Sequence, residues 1–173
     1  MKKHTGFTLV ELMITLVIAA ILLSIAVPSF RDFLLNNRLT TVTNEFVAAA
    51  NLARSEAIKR GRNATMCVSS DSMSATPGCT GGSNWALGWL VYVDLNNDNS
   101  PDPGEEVRTY DSLDSTGLTF TSDGANSFSY SATGAVSNQL VLEVCDDRPD
   151  ETGREISVTA TGRIETDRAF GGC

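Results

Sequence analysis

The sequence predicts an α+β fold in which one long N-terminal helix packs on an antiparallel β-sheet. An unbroken apolar stretch, Phe7–Val27, leads into a stripe of apolar residues with helical spacing. From Thr65 onward the period of the apolar residues changes to two, and turn residues separate the short runs. No helical pattern lies between these later runs, which favours antiparallel pairing of the strands.

The apolar stretch Phe7–Val27 is 21 residues long and contains one charge, Glu11. At a rise of about 1.5 Å per residue it forms roughly 30 Å of helix, which is enough to cross a bilayer. Lys2 and Lys3 precede it, so the positive-inside rule places the N-terminus in the cytoplasm and the rest outside. A secretory signal peptide has a shorter apolar run that ends in a small-residue cleavage site. A plain anchor would have no use for a carboxylate, which is costly in hydrocarbon.

The helix is expected to continue past Pro28, where the missing backbone hydrogen bond predicts a kink. Residues 29–62 then form an amphipathic half that runs to about Arg60, followed by Gly61 as a C-terminal cap. Basic residues at this end interact favourably with the helix dipole. We prefer this explanation of the basic cluster to a ligand-binding patch. The apolar stripe comprises Leu35, Leu39, Val42, Phe46, Ala49, Ala53 and Ala57.

Residues 63–173 are expected to form one head domain of short strands. One face of their sheet would pack on the apolar stripe of the helix. Gly134 and Gly162 mark turns between strands. The predicted strands are Ala64–Val68, Trp85–Asp94, Val107–Tyr110, Leu118–Thr121, Ser127–Ser131, Leu140–Cys145, Glu155–Ala160 and Arg163–Glu165.

Charge and composition narrow the function. The formal net charge is −8. If the residues ahead of the apolar stretch were removed, Lys2 and Lys3 would go with them, and 11 basic residues would remain against 21 acidic ones. This balance argues against broad nonspecific binding of nucleic acid by the head. The only histidine is His4, ahead of the apolar stretch, and no glycine-rich phosphate loop is present. We therefore expect no histidine-dependent catalysis, no histidine metal site and no enzyme activity.

The four cysteines, Cys67, Cys79, Cys145 and Cys173, all lie on the outer side of the predicted membrane span, where disulfides persist. An even number favours two bridges, and three pairings are possible. The pairing Cys67–Cys79 with Cys145–Cys173 is preferred because each bridge closes a local loop. Metal binding is the competing interpretation, but no Cys-x-x-Cys spacing exists.

The N-terminal residues Lys-Lys-His-Thr-Gly followed by Phe-Thr-Leu-Val-Glu-Leu resemble the leader of type IV pilins and type II secretion pseudopilins. The resemblance implies a pilin fold, with residues 1–6 removed by a prepilin peptidase that cuts after Gly6 and methylates the new terminus at Phe7. It also implies that Glu11 pairs with the terminal amine of a neighbouring subunit in the filament. That pairing would relieve two charges that are each costly in hydrocarbon.

The head resembles the GspH/FimT/FimU branch of minor pilins. Segments Leu52–Gly61, Gly88–Asp94, Cys145–Arg148 and Ser157–Ile164 carry this resemblance. It implies a low-abundance, non-enzymatic subunit that primes a type IV pilus or a type II pseudopilus and sits at or near its tip. The implied partners are other minor and major pilins or pseudopilins and inner-membrane lipid, with the head in the periplasm. The sequence does not decide which filament system the subunit serves.

An Asp/Asn-rich loop is the best candidate for a ligand site. Its oxygen-bearing side chains match positions 1, 3, 5, 7, 9 and 12 of a calcium loop, where six to eight oxygens converge. Asn99 replaces the usual glycine at position 6, and Pro101 and Pro103 stiffen the second half. The alternative is a polar hairpin tip without metal. The candidate ligands are Asp94, Asn96, Asp98, Ser100, Asp102 and Glu105.

DNA binding for uptake is the alternative function, because FimT-like members carry a basic Gly-Arg-x-Arg element near the C-terminus. Here Gly162-Arg163-Ile164 is followed by Glu165, so the second arginine is missing. The candidate DNA-binding residues are Arg154, Arg163 and Arg168. Acidic residues alternate with them along the chain, and phosphate binding requires uncompensated positive charge. We therefore expect DNA not to be a partner.

Overall fold

The computed structural model describes residues 6–148, 153–170 and 172–173, except for the side chains of Asp114, Ala169 and Phe170. The predicted leader lies outside these residues, apart from Gly6. The chain divides into two compact units, Met1–Asn37 and Arg38–Cys173. A single helix, α1 (Leu9–Arg60), belongs partly to each.

Helix α1 begins two residues later than predicted, because Thr8 takes the capping position. The Thr8 hydroxyl accepts a hydrogen bond from the backbone N–H of Glu11 at 3.3 Å. A threonine followed three residues later by glutamate is the spacing of a capping box, which satisfies the first free N–H groups of a helix. The sequence therefore contained a start signal that the hydropathy pattern hid.

The C-terminal end of α1 has the predicted glycine cap. Gly61 follows Arg60 with φ of 63°, and the N–H of Arg62 donates to the carbonyl of Ala57 at 3.2 Å. This is the hydrogen bond of a Schellman motif, in which a left-handed residue turns the chain back over the last helical turn. Glu56 accepts from Lys59 at 3.2 Å and from Arg60 at 2.7 Å, so two of the basic residues at this end are already paired.

In the first unit, α1 is apolar and exposed along its N-terminal part, whereas Leu35 of the predicted stripe is buried. Its most apolar 18-residue window has a mean hydropathy of 2.7 and no buried residue, so the helix is long and apolar enough to cross a membrane. Pro28 lies inside the helix. Proline is accommodated there without ending the element, as the sequence predicts.

In the second unit, the predicted stripe of α1 is buried. Phe46 and three alanines of the stripe have no exposed surface, and Ala50, one position outside it, is also fully buried. Alanine positions let a β-sheet approach the helix axis closely, and the larger side chains fill the space between them. The buried stripe residues of this unit are Leu39, Val42, Phe46, Ala49, Ala53 and Ala57.

Within the part of the chain that the structure describes, the rest of the head contains eight strands, all paired antiparallel. Trp85–Leu87 is a short 3-10 turn rather than the start of a strand, because Gly88 interrupts the run with φ of 107°. A Cβ at Gly88 would lie 2.7 Å from the Tyr110 carbonyl oxygen, so no other residue fits. The strands are β1 (Ala64–Val68), β2 (Trp89–Val93), β3 (Glu106–Tyr110), β4 (Thr119–Ser122), β5 (Ser127–Tyr130), β6 (Leu140–Cys145), β7 (Gly153–Val158) and β8 (Ile164–Phe170).

The α+β class is confirmed, but the strands form two four-stranded sheets where the sequence suggested one. One sheet has the order β3-β2-β1-β5 and the other β4-β6-β7-β8. The first sheet ends at β5 because residues 135–137 occupy its outer edge. Tyr130 bridges to Val136, and the Ser137 N–H donates to the Ser129 carbonyl at 2.9 Å. That segment takes the hydrogen bonds with which β5 could have joined another strand.

Phe46 lies at the centre of an aromatic core that joins the two sheets to the helix. Its ring centroid is 5.3–6.2 Å from those of Trp85, Trp89, Phe120 and Phe128. Three of these contacts are edge-to-face, the arrangement that the ring quadrupoles favour. A single helix residue thus packs against both sheets and the 3-10 turn.

The first sheet is buried on its other face as well. Cys67, Leu90 and Tyr92 form a second, smaller cluster there. The Cys67–Cys79 bridge ties a loop to it, and the Tyr92 hydroxyl donates to the carbonyl of Asn99 at 3.1 Å. Burial on both faces explains why β1 and β2 read as continuous apolar runs rather than alternating ones.

Replacing Tyr130 by phenylalanine should not destabilise the head. Tyr130 is fully buried, and among the described residues no group hydrogen-bonds to its hydroxyl. Burial raises the pKa of this phenol to about 12. Because removal of an unpartnered buried hydroxyl relieves a desolvation cost, we expect Tyr130→Phe to change the free energy of unfolding by about 0 to 1 kcal/mol in the stabilising direction. Urea denaturation measures it, and a loss above 1 kcal/mol would show that the hydroxyl is satisfied.

Candidate functional site

Glu11 occupies the first turn of α1 on an exposed apolar surface. Its backbone N–H is taken by Thr8, but within the described part of the chain its carboxylate has no hydrogen bond or ion pair. Phe7, two residues before the helix, is 77% exposed. In hydrocarbon an unpaired carboxylate is costly.

The two disulfides join Cys67 to Cys79 and Cys145 to Cys173, the pairing preferred from the sequence. Their Cα atoms are 5.6 and 5.7 Å apart, which is typical of disulfides. The first bridge fixes a surface loop to β1, and the second fixes the C-terminal residue to the end of β6. No free cysteine lies in the described residues.

Gly153 is required by the second disulfide. A Cβ built on this residue would collide with the Cys173 sulfur and would lie 2.7 Å from the Val144 carbonyl oxygen. The bridge thus packs directly on the backbone at the start of β7. Sequence reasoning missed this constraint because the signal is a lone glycine with no turn pattern around it.

The Asp/Asn-rich loop folds around two buried carboxylates, Asp94 and Glu105. Asp94 accepts hydrogen bonds from the N–H groups of Asn97 at 2.6 Å and Asn99 at 3.0 Å. Glu105 accepts from the N–H of Leu95 at 2.7 Å and that of Asp102 at 3.2 Å. Both carboxylates therefore act as backbone acceptors that hold the loop closed.

The outer side chains of the loop are also bonded to one another. The Asn96 amide donates to Asp98 at 2.9 Å and to Asp102 at 2.8 Å. Asn97 and Asn99 each have φ of 62°, a left-handed conformation that asparagine tolerates better than most residues. Asn99 thus adopts the conformation that glycine supplies in calcium loops. Across the described residues, no group of three or more His, Cys, Asp or Glu side chains is placed to hold a metal ion.

Calcium binding by this loop stays a prediction, and a thermal denaturation experiment tests it. If calcium binds the native head, removing it with a chelator should lower the melting temperature, and the shift should grow with the logarithm of the free calcium concentration before removal. Asp98→Asn removes a charge but keeps an oxygen that can accept the hydrogen bond from the Ser100 N–H, and it should abolish that difference. An unchanged melting temperature with and without chelator would leave the loop a polar hairpin tip.

The three candidate DNA-binding arginines do not form one cluster. Arg154 and Arg168 lie together at the end of β7 and β8, where an Arg154 Nη1–H donates to the Arg168 carbonyl oxygen at 2.8 Å. Arg163 lies just before the opposite end of β8. Five residues separate it from Arg168, which corresponds to about 17 Å along an extended strand. Its guanidinium is 3.5 Å from the Glu165 carboxylate, and both side chains are exposed. A pair of this kind contributes little energy.

Arg148 and Asp146 form a buried ion pair beside the second disulfide, with Nη2 and Oδ2 separated by 2.6 Å. The two side chains are 9% and 2% exposed. Burial acts to raise the pKa of Asp146, but the hydrogen bonds and charge of Arg148 outweigh it and hold that pKa below its ordinary value of 3.8. This pair explains the local use of Cys-Asp-Asp-Arg in the sequence.

Asp146→Asn should destabilise the head at neutral pH by about 1.5–3 kcal/mol, because the charged Arg148 partner loses its carboxylate. The folded-state pKa of Asp146 is depressed, so the contribution is present above pH 3.8 and is lost as the pH falls through the lower folded-state pKa. The difference in free energy of unfolding between wild type and variant should therefore shrink below pH 3.8. Denaturant titrations at pH 7 and pH 3 measure it, and a pH-independent difference would contradict the assignment.

Arg54 is a structural residue that the sequence analysis did not single out. Its guanidinium donates to the carbonyls of Gly162 at 3.3 Å and Thr161 at 3.2 Å. These carbonyls belong to the turn between β7 and β8, which packs so closely on Gly134 that a Cβ at Gly162 would collide with the Gly134 carbonyl oxygen. The helix thus anchors this turn through one arginine.

A helix with a membrane-spanning first part, together with a disulfide-bonded antiparallel head, defines a subunit of the type IV pilin class. The family described as "Type II transport protein GspH" matches residues 42–162, and the family described as "Prokaryotic N-terminal methylation motif" matches residues 1–27. The first match covers more than half of the chain. The protein belongs to the GspH family of type IV minor pilins and pseudopilins, which are structural, non-enzymatic proteins.

Similar proteins are pilins. The chain is 40% identical over 62 residues to a fimbrial protein of Pseudomonas aeruginosa and 34% identical over 80 residues to the type IV major alpha-pilin of Moraxella bovis. These matches cover 36% and 46% of this chain. The chain spans only 40% and 50% of the length of these relatives.

The fold has a solved counterpart in the type IV minor pilin FimU of P. aeruginosa. The crystal structure of FimU in space group P21 matches with a TM-score of 0.60 and 20% sequence identity over 77% of this chain and 90% of FimU. A second crystal form gives a TM-score of 0.57 over 75% of this chain and 93% of FimU. At this identity the likeness shows a shared pilin fold.

Proposed function

We propose that this protein is a minor subunit of a type IV pilus or of the pseudopilus of type II secretion, which primes assembly and lies at or near the filament tip. The observation that carries the proposal is that one helix joins a leader and an exposed apolar segment bearing Glu11 to a GspH-type head. Such a chain can be stored in a membrane and transferred into a filament without refolding its head.

Glu11 is the residue proposed to drive the transfer. Cleavage after Gly6 would create an amine at Phe7, four residues ahead of the carboxylate. Within a membrane or an apolar filament core, this amine and the Glu11 carboxylate of a neighbouring subunit would each relieve the desolvation cost of the other. The side chain has no partner within the described chain, which supports an intermolecular role.

Before assembly we place the protein in the inner membrane, with its head in the periplasm. Lys2 and Lys3 favour a cytoplasmic N-terminus, and two disulfides require an oxidising compartment for the head. The proposed partners are the prepilin peptidase, membrane lipid and the other pilins or pseudopilins of the filament. A position at the tip rests on the resemblance of the sequence to priming subunits.

Deletion of the gene followed by complementation tests this function. Pilin sheared from the cell surface and exoprotein in the medium are measured together, so that either filament system gives a signal. We expect one of them to collapse on deletion and to return with the wild-type gene but not with Glu11→Gln. The matched control is Glu45→Gln, which removes an exposed carboxylate from the same helix. Full restoration by Glu11→Gln would contradict the proposed role of this residue.

DNA capture is the competing function, and no observation in the structure favours it. The arginines that would form the site are divided between two ends of a strand, and the one in the family position is paired with Glu165. An electrophoretic shift with the head at low salt tests it. A shift at micromolar head that is lost in Arg163→Ala would favour DNA capture over the structural role.

A further inference from the structure

A small polar cavity of about 20 Å³ lies between helix α1 and the paired ends of β7 and β8. Its size corresponds to little more than one water molecule, so only the end of a small group can enter it. Hydroxyl and amide groups line the helix side, and two guanidinium groups and a hydroxyl line the sheet side. The lining residues are Thr40, Thr43, Asn44, Arg154, Thr166 and Arg168.

Arg154 is held in place by backbone atoms. Its Nη1 group donates to the carbonyl oxygens of Gly153 at 3.0 Å and Arg168 at 2.8 Å. These bonds use one nitrogen of the guanidinium and draw β7 and β8 together at their ends. Arg154 also lines the cavity, and no hydrogen bond of its Nε and Nη2 groups to the described residues is present.

The guanidinium groups of Arg154 and Arg168 have no ion-pair partner among residues 6–148, 153–170 and 172–173. The charge of Arg154 reaches Asp146, but that carboxylate is already bonded to Arg148. Two positive charges therefore meet at one cavity, and no carboxylate of the described residues forms an ion pair with either of them.

The acidic residues that alternate with these arginines in sequence lie on the other face of the sheet. Ile156 is fully buried and pairs with Thr166, and Arg154 pairs with the fully buried Val144 of β6, so Arg154 lies on the helix side. Arg168 lines the same cavity, next to the register shift between β7 and β8 at Gly153–Glu155. Glu155, which pairs with Asp167, has the opposite phase and lies on the other side. The basic and acidic side chains that alternate along the sequence therefore lie on opposite faces of the sheet.

We propose that this cavity receives a carboxylate side chain of a neighbouring filament subunit. Arginine forks bind carboxylates and phosphates in two-point geometry, and such charge-assisted bonds are the strong ones. The cavity admits one small planar group, and the net charge of −8 repels a polyanion, so both properties favour a single carboxylate over nucleic acid. The inference rests on the proposed function, since it assigns a contact within the filament.

Acetate binding to the full chain in neutral maltoside micelles tests the cavity directly. The probe is sodium acetate, titrated against sodium chloride at constant ionic strength while the arginine Nε–H signals are followed by NMR. We expect saturable shifts for Arg154 and Arg168 in the millimolar range, none for Arg163, and loss of saturation in Arg168→Gln. Equal, non-saturating shifts of all three arginines would overturn the proposal, as would displacement of acetate by a micromolar single-stranded oligonucleotide.

Charge reversal in cells tests the docking. Arg168→Glu should exclude the full-length protein from sheared filaments, whereas the matched control Arg163→Glu, just before the same strand and outside the cavity, should leave incorporation unchanged. Selection for restored filaments should yield acidic-to-basic changes in another filament subunit. Normal incorporation of Arg168→Glu, or suppressors confined to this chain, would overturn the docking. Absence of the wild-type protein from filaments would instead refute the proposed function and leave the acetate result standing.

Discussion

Replacing Phe46 by alanine should lower the free energy of unfolding of the head by about 3–5 kcal/mol, which is a large fraction of the stability of a domain of this size. Phe46 has no exposed surface, and its ring contacts those of Trp85, Trp89, Phe120 and Phe128. The cavity left by the ring would lie between both sheets and the helix, where no single element can move to fill it. Denaturant titration of residues 38–173, followed by tryptophan fluorescence, measures the change.

The control for Phe46→Ala is Ile58→Ala on the same helix. Ile58 is 53% exposed, so its truncation should change the free energy of unfolding by about 0.5 kcal/mol or less. Phe46→Leu should lie between the two because it restores part of the lost volume. A cost below 1 kcal/mol for Phe46→Ala would mean that the core closes around the gap, and that the aromatic cluster is not the main link between the sheets.

Gly6→Val should block removal of the leader completely. The valine would meet nothing among the described residues, because none of them apart from the chain neighbour has an atom within 4 Å of a Cβ built at Gly6. Any loss of processing would therefore arise in the active site of the peptidase rather than in the stability of this protein. The intact mass of the membrane-extracted protein reports the result: wild type should begin at a methylated Phe7, and the variant at Met1.

A matched control for Gly6→Val is Leu12→Val, which changes an exposed apolar residue of the same segment. This variant should be cleaved and methylated like the wild type. Cleavage of Gly6→Val at the normal position would contradict the proposed recognition of the glycine. A wild-type protein that still begins at Met1 would contradict the leader assignment altogether.

The elements of this fold were largely predictable because they follow from local pattern. β1 and β6 have the predicted limits, and Gly61 ends the helix where its spacing indicates. The division into two sheets was not predictable, because it depends on residues 135–137 covering the edge of β5. Nothing in the composition of that segment distinguishes it from any other loop.

The candidate sites show the same limit. The alternation of side chains between the two faces of a strand can be predicted from the sequence, but which face packs on the helix cannot. The positive charges of Arg154 and Arg168 therefore seemed to be neutralised by their acidic neighbours in sequence. Their meeting at one cavity depends on the register Ile156↔Thr166 and on helix residues more than a hundred positions earlier. The glycine requirement at Gly153 likewise comes from a disulfide that only the folded chain brings to it.

The most direct test of the account is to locate this protein on isolated filaments. Antibody against the head, detected by immunogold on sheared wild-type filaments, should label one end of the filament and give no label in a strain with Glu11→Gln. Label distributed along the whole filament length would contradict the role of a minor tip subunit. Absence of label from wild-type filaments, with the protein present in the membrane, would contradict its assembly into them.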